Sequence, residues 1–198
     1  PAGALPWWRE RLATHQVSGL KDDVVFGESR LYFEGPDGEG FALAEVPGDD
    51  RAPWLAGGVD ADHAIRGFRG AHVRLSDGGS TEELLRFMNY EVRERADGLV
   101  RLVVPGGNGA DVIELETVRG ADEARQGAGS VHHIACSVDD RARQLEVRKA
   151  LTDTGYSVTP VIDRDYFRAL YLRPPGDALV AAAPNTPGRD PDPAPAQL

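Results

Sequence analysis

The feature of this sequence that most limits its possible folds is a repeat in the order of its predicted elements. Residues 129–183 read as a strand, an amphipathic helix and three further strands, and residues 65–118 show the same order. In both segments, apolar residues alternate along the strands and follow helical spacing in the helix, and turn residues separate the elements. The repeat of roughly 60 residues is longer than that of a small solenoid. The sequence therefore predicts an α+β protein built from βαβββ units.

A third copy of this unit is incomplete. Residues 1–49 predict a helix near Leu5–Gln16 and three strands, but no strand precedes the helix. Segments 50–64 and 119–128 are rich in glycine, proline or charged residues and are predicted linkers, and the Pro- and Asp-rich segment 184–198 is a predicted disordered tail. The sequence thus divides into a partial unit, two complete units, their linkers and a tail.

We expect the two complete units to form one cupped mixed sheet, whose concave face takes alternate residues from each strand. Ser80 is predicted to cap the helix of the middle unit, and Gly155 to end the helix of the last unit. The partial unit leaves a sheet edge exposed, and an exposed edge can pair with another chain. We therefore expect a homodimer or an unstable fragment.

Charge and apolar pattern disfavour several classes of partner. A net charge of -10 repels phosphate groups and anionic lipids, so nucleic-acid binding is not expected. No apolar run approaches the length of a membrane span, and the first residues lack the basic and apolar segments of a secretory signal. We therefore expect a cytoplasmic protein that does not enter a membrane. Cys136 is the single cysteine and is predicted to be a small buried residue.

Four segments resemble a known family. They are G-D-D-R-A-P-W at 48–54, H-A-I-R-G-F at 63–68, G-A-G-S-V-H-H-I-A at 127–135 and V-T-P-V-I-D-R-D-Y-F-R at 158–168. These segments are similar to ring-cleaving dioxygenases of the hydroquinone type, within the vicinal oxygen chelate superfamily of glyoxalase I and the bleomycin-resistance proteins. The resemblance covers nearly the whole chain up to the tail. It matches the last two and a half units of a four-unit protein.

The resemblance implies a metal cofactor and an aromatic substrate. Proteins of this kind hold Fe(II) or another divalent metal with two histidines and one carboxylate, which leave positions open for the substrate and dioxygen. His133 matches the histidine of the last unit, but the position of the carboxylate is Ala181, whose methyl group cannot coordinate a metal. Arg69 stands where a histidine is expected in the middle unit, and a guanidinium is not a metal ligand. The implied partner is a small aromatic molecule such as a hydroquinone or a catechol.

Two other residues could complete a metal site with His133. Gly70 matches His133 in register, so His72, two residues on, points to the same face. Glu114 lies on the last strand of the middle unit, where glyoxalase-like relatives carry a carboxylate. The alternative is that Glu114 faces solvent on its strand and that His133 is a strand histidine without a metal. His132 is expected to alternate to the opposite face.

Tyr171 and Tyr166 are the candidate catalytic residues. Tyr171 matches a tyrosine that in the family hydrogen-bonds the substrate or its oxygenated intermediate, and a phenol can do this as donor or acceptor. The alternative for Tyr171 is a half-buried strand aromatic. The resemblance places Tyr166 and Arg168 at the pocket mouth, whereas Asp163 and Arg164 are expected to form a surface ion pair of little energetic value.

Two hypotheses about function remain open. The first is a ring-cleaving dioxygenase-like enzyme whose metal site is incomplete. The second is a metal-free protein that binds a small molecule or a partner, or a truncated relic without catalysis. The alanine at position 181 favours the second hypothesis, and the segments V-H-H-I-A and D-R-D-Y-F-R favour the first.

Overall fold

The computed structural model describes residues 1–120, 127–173 and 179–184. The predicted α+β class is confirmed, since the described residues form three helices, a three-stranded sheet and two four-stranded mixed sheets. The chain divides into two compact units. The first contains the described residues of 1–72, 91–114 and 127–131, and the second contains those of 73–90, 115–120, 132–173 and 179–184.

The N-terminal partial unit has the predicted helix and three strands. Pro6 lies at the start of the helix, where its missing N–H costs nothing, and Leu31 is fully buried in the second strand. The strands form an antiparallel sheet in the order β1-β2-β3. The elements are α1 (Leu5–Thr14), β1 (Lys21–Val25), β2 (Glu28–Glu34) and β3 (Gly40–Ala44).

The middle unit follows the complete βαβββ order, and its strands pair in the order β4-β7-β6-β5. A Cβ on Gly70 would lie 2.0 Å from the carbonyl oxygen of Val112, so only glycine allows this close approach. The helix begins after Gly78 and contains Ser80 in its first turn, so the predicted Ser80 cap is wrong. The elements are β4 (Gly70–Leu75), α2 (Gly79–Phe87), β5 (Glu91–Ala96), β6 (Leu99–Val103) and β7 (Val112–Thr117).

The last unit repeats this order as β8-β11-β10-β9, with β8 parallel to β11 and the other pairs antiparallel. The side chain of Asp140 accepts from the Arg143 N–H at 2.8 Å and caps the helix. Gly155 follows the helix with φ +92°, as predicted for a C-terminal stop. The elements are β8 (Ile134–Val138), α3 (Arg141–Asp153), β9 (Ile162–Asp163), β10 (Arg168–Leu172) and β11 (Val180–Pro184).

Helix α3 packs on its sheet through a hydrogen-bonding amide side chain as well as through apolar residues. Val147 and Leu151 are 3% and 2% exposed, and Gln144 is fully buried. The Nε2 group of Gln144 donates to the carbonyl oxygens of Arg168 at 2.9 Å and Ala182 at 2.8 Å. One side chain thereby satisfies carbonyls of both β10 and β11.

Some sequence predictions need correction or fall outside the described residues. Pro184 belongs to β11, so the predicted tail does not begin there, and residues 185–198 lie outside the described residues, as does part of the 119–128 linker. The pairing of the two complete units into one cupped sheet stays a prediction. No helix in the described ranges is both long enough and apolar enough to span a bilayer.

Candidate functional site

Two adjacent histidines and a tyrosine meet at the start of β8. His132 and His133 lie immediately before this strand rather than on it, which corrects the predicted placement, and their Nδ1 atoms are 2.9 Å apart. Because the two imidazoles are in contact, the prediction that they point to opposite faces is wrong. The His133 ring meets the Tyr171 ring edge-on, with centroids 5.5 Å apart. The last unit therefore has three neighbouring groups that can donate or accept hydrogen bonds.

The strand register places Ala181 beside this cluster. Tyr171 of β10 pairs with Ala181 of β11, and Ala181 pairs with Ala135 of β8. Paired residues lie side by side on one face of a sheet, and His133 has the same parity as Ala135. Ala181 is 1% exposed. The position where the resemblance expects a carboxylate is thus a buried methyl group, in a row with the tyrosine.

The turn between β9 and β10 brings a guanidinium to the same tyrosine. Arg164 lies in this turn, and its Cζ is 5.4 Å from the centroid of the Tyr171 ring, a cation–π distance. Arg164 was the predicted surface partner of Asp163, but its guanidinium lies over Tyr171. The Nε atom of Arg168 lies 3.5 Å from the Asp163 carboxylate instead. Tyr166 is 60% exposed in the same turn and donates its backbone N–H to the Arg164 carbonyl at 2.8 Å. Its side chain lies in the solvent-facing part of the turn.

The surroundings of His133 favour its neutral form. Partial burial, followed by the neighbouring His132 and the cationic Arg164, holds the pKa of His133 below its ordinary value. A neutral imidazole has one ring nitrogen that can accept a proton or bind a metal. At neutral pH, His133 is therefore in the protonation state that a base or a metal ligand requires.

A second group of charged side chains surrounds Glu114 in the first compact unit. Glu114 is 2% exposed, so the interpretation that it faces solvent is wrong. Its two carboxylate oxygens accept from the two Nη groups of Arg30, each at 2.7 Å, and Oε1 also accepts from Arg101 Nε at 2.9 Å and Nη2 at 2.7 Å. The Nδ1 atom of His72 is 3.4 Å from Oε2. Two of the predicted metal ligands, His72 and Glu114, are therefore neighbours.

Glu28 joins the same group from the start of β2. Its Oε2 accepts from Arg30 Nη2 at 2.9 Å and from Arg101 Nη2 at 2.8 Å, and its Oε1 pairs with Arg69. We call Glu28, Arg30, Arg69, Arg101 and Glu114 the Glu114 ion cluster. Burial alone would raise the pKa of Glu114, but the hydrogen bonds from Arg30, His72 and Arg101 outweigh it and hold the pKa far below its ordinary value. Glu114 is therefore ionised, and both of its oxygens are bound by cationic side chains.

The described residues do not complete the metal site that the resemblance implies. Among residues 1–120, 127–173 and 179–184, no three His, Cys, Asp or Glu groups gather in a way that could hold a metal ion. A divalent metal in such proteins needs three or more protein ligands. The structure groups His72 with Glu114 in the first unit and His133 with Tyr171 in the second. The site made of His72, Glu114 and His133 stays a prediction.

The sequence analysis does not predict the Glu114 ion cluster, although the positions of two arginines indicate buried charges. Arg101 occurs inside the apolar run L-V-R-L-V, and Arg30 directly precedes the apolar residues L-Y-F. A charged residue in such a run is buried only if it is paired. The sequence therefore indicated buried carboxylate partners but did not say which residues supply them.

Comparisons with known proteins point to one group. The chain is 35% identical over 189 residues to MhqO of Bacillus subtilis (strain 168), a protein assigned as a ring-cleaving dioxygenase, and this match covers 95% of the chain and 60% of the relative. It is 32% identical over 193 residues to a chlorohydroquinone/hydroquinone 1,2-dioxygenase of Sphingobium indicum, with 92% of the chain and 59% of the relative covered.

A solved structure points to the same group of proteins. A crystal structure of a Bacillus subtilis protein assigned as a dioxygenase superposes with a TM-score of 0.84 at 34% identity, and covers 95% of this chain and 60% of that one. No protein-family model matches the sequence. The chain spans about 60% of the length of the curated relatives it matches.

Proposed function

Because the chain belongs to the vicinal oxygen chelate superfamily and is similar to its ring-cleaving dioxygenases, we propose that it acts in the opening of a hydroquinone- or catechol-like aromatic ring. The observation that carries this proposal is the contact between His133 and Tyr171, whose ring centroids are 5.5 Å apart. His133 lies in segment 127–135, which resembles the dioxygenases, and Tyr171 follows the similar segment 158–168 by three residues. The activity and the substrate of the relatives come to this chain only as part of the proposal.

The face around Tyr171 suits a small phenolic ring. Ala181 lies in register with the tyrosine and Ala135 lies in register with Ala181; Ala135 is exposed and has only a methyl group, so it does not obstruct a flat molecule on this face. His133, held neutral, can accept a proton from a substrate hydroxyl, and Tyr171 can donate or accept a hydrogen bond to its oxygen. Arg164 adds a positive charge near the same ring, which favours a phenolate.

The metal is a separate part of the proposal. Ring-cleaving dioxygenases of this superfamily usually use a divalent metal, and we propose Fe(II) or a related ion, with His133 as a ligand. Among the described residues, His133 has no carboxylate beside it at the expected position, because that position is Ala181. We therefore derive no step through the ion; without it, these residues bind the aromatic molecule and His133 accepts its proton.

Metal analysis combined with dioxygen uptake tests this function. The full chain is purified without chelator, its metal content is measured, and dioxygen consumption is followed with hydroquinone after anaerobic addition of Fe(II). We expect retained metal and uptake that His133→Ala removes and that His15→Ala, an exposed control, leaves unchanged. Less than about a tenth of an equivalent of metal, with no uptake after Fe(II) addition, would end the ring-cleavage proposal.

A second candidate function is metal-free binding of the same aromatic molecules. The buried Ala181 favours it, because a binding site needs no carboxylate at this position. Calorimetric titration of hydroquinone into chelator-treated protein distinguishes the two functions. Binding that Tyr171→Phe weakens, without dioxygen uptake in the presence of Fe(II), supports the second candidate alone.

The oligomeric state and the cellular location are also proposals. We propose a homodimer in the cytoplasm, with a small aromatic molecule as its partner and without nucleic acid or membrane. Size-exclusion chromatography with light scattering that gives a monomer at micromolar concentration contradicts the dimer.

A further inference from the structure

The turn between β6 and β7 contains an asparagine followed by a glycine. Residues 104–111 read V-P-G-G-N-G-A-D, and Asn108 is the one asparagine of this sequence that precedes a glycine. The amide carbon of such an asparagine can be attacked by the backbone nitrogen of the next residue, because a glycine has no side chain to obstruct the approach. The contacts of the turn decide whether its folded form promotes this reaction.

The attacking nitrogen is held by a carboxylate. The Gly109 N–H donates to Asp111 Oδ1 at 3.0 Å, and the other carboxylate oxygen, Oδ2, accepts from the Val104 N–H at 3.0 Å. A Cβ on Gly107 would lie 2.3 Å from Oδ2, so the carboxylate is packed against the backbone of the turn. A base that already holds the N–H of a weak nucleophile can take its proton as the new bond forms. Asp111 is therefore placed to activate the Gly109 nitrogen.

The side-chain carbonyl that this nitrogen would attack is also held. Asn108 Oδ1 accepts from the Ala110 N–H at 3.0 Å. Attack on the amide carbon moves negative charge onto this oxygen, and a backbone N–H that already points at the oxygen stabilises the charge. The Arg51 guanidinium lies beside the same turn, since a Cβ on Gly109 would be 3.7 Å from its Cζ, and Asp49 holds it there through Nε and Nη2. The developing negative charge therefore has a fixed guanidinium beside it.

We propose that Asn108 is a deamidation site whose own folded turn promotes the reaction. The Gly109 nitrogen forms a bond to Cγ of Asn108 and gives its proton to Asp111. The bond from Cγ to the side-chain nitrogen breaks, and that nitrogen takes up the proton and leaves as ammonia. Water then opens the succinimide ring at either of its C–N bonds, which leaves an aspartate or an isoaspartate at position 108. The sum is the uptake of one water and the release of one ammonia, and the turn gains one negative charge.

Peptide mass spectrometry of the full chain tests the site. The protein is incubated at neutral pH for several days, and its tryptic digest is compared with that of an unincubated sample. We expect peptide 102–119 to gain about one dalton, because an amide becomes a carboxyl group, whereas peptide 87–93, which contains Asn89 before a tyrosine, should keep its mass. The mass change separates this reaction from isomerisation at an Asp-Gly pair such as Asp97 and Gly98, which leaves the mass unchanged.

A second comparison separates the effect of the folded turn from that of the Asn-Gly sequence. In guanidinium chloride the unfolded chain loses the contacts of Asp111 and Ala110, so deamidation of Asn108 should be at least about tenfold slower there. Asp111→Ala should slow the reaction of the folded protein by about the same factor. The matched control, Asp50→Ala, removes an exposed carboxylate outside the turn and should leave the rate within about twofold.

Three results would overturn the proposal. The first is a rate in the unfolded chain that equals or exceeds the rate in the folded protein, because the turn would then protect Asn108; this measurement requires no variant to fold. The second is an unchanged rate in Asp111→Ala, when circular dichroism shows that this variant is folded. The third is a constant mass of peptide 102–119 in the folded protein.

Discussion

The substitution Glu114→Gln is the sharpest test of the electrostatics in the first compact unit. The change keeps the size of the side chain but removes its charge and one acceptor oxygen. It leaves Arg30 and Arg101, which are 6% and 4% exposed, without the carboxylate that binds both. The new amide group would also direct N–H donors towards guanidinium donors. We therefore expect the folded state to lose stability.

The size of the loss can be bounded from the contacts. Breaking a buried ion pair by removing one partner costs about 3–5 kcal/mol, because it leaves an uncompensated buried charge. Glu28 still binds both arginines, at 2.9 Å and 2.8 Å, and compensates part of that charge. We therefore expect a decrease of about 3 kcal/mol in the free energy of unfolding, at the lower end of this range.

Urea unfolding followed by circular dichroism measures this decrease. The midpoint should fall while the slope of free energy against urea stays constant. Glu116→Gln is the matched control, since it lies on the same strand and pairs with Arg74 at 3.0 Å, with side chains 38% and 67% exposed. An exposed pair of this kind contributes at most about 1 kcal/mol. Equal effects of the two substitutions, or a loss below about 1 kcal/mol for Glu114→Gln, would refute the reasoning.

Three further predictions follow from other contacts. The pKa of Glu114 is lowered in the folded state, so the stability that its charge contributes is fully present above the ordinary glutamate pKa of about 4.3 and is lost as the pH falls further. In acid unfolding experiments below that pH, the difference in stability between the unaltered protein and Glu114→Gln should therefore shrink. Asp140→Ala removes the cap of α3 and should cost about 0.5–2 kcal/mol in urea unfolding. Ala181→Glu buries a carboxylate beside Tyr171 and should lower the thermal midpoint of unfolding. If His133 is a metal ligand, added Zn²⁺ should restore that midpoint in Ala181→Glu but should not raise it in Ala181→Gln.

Local patterns in the sequence were enough to predict most of the elements. The apolar alternation of L-V-R-L-V and V-I-E-L-E predicted β6 and β7 nearly to the residue, because each strand buries one or both faces. Ser80 was a poorer predictor of the start of α2, because the helix begins earlier and Gly78 takes the cap position without a side chain. Gln144 was also missed, since apolar spacing does not register a buried amide that bonds two carbonyls.

The candidate site was predictable only where it depended on local sequence or on resemblance. The resemblance points to both His133 and Tyr171, and the structure brings their rings together. The contact between His132 and His133 was not predicted, because β8 begins at Ile134, after both histidines, so the alternation of a strand does not hold His132 on the face opposite His133. The Glu114 ion cluster joins residues as far apart as Arg30 and Glu114, which are 84 positions apart in the chain. No local pattern determines which distant carboxylate a buried arginine meets.

The sharing of Glu114 between two arginines has a consequence for how this protein can change. A neutral residue at position 114 is harmful while Arg30 remains, and a neutral residue at position 30 is harmful while Glu114 remains, because either change leaves one charge buried alone. Joint replacement by apolar residues of similar volume removes both charges, and Glu28 still binds Arg101 at 2.8 Å, so most of that cost is avoided. In a library randomised at both positions and selected for stability, concerted double changes should therefore be more stable than either single neutral change. The Glu114 ion cluster thus makes single changes at these two positions more destabilising than the paired change.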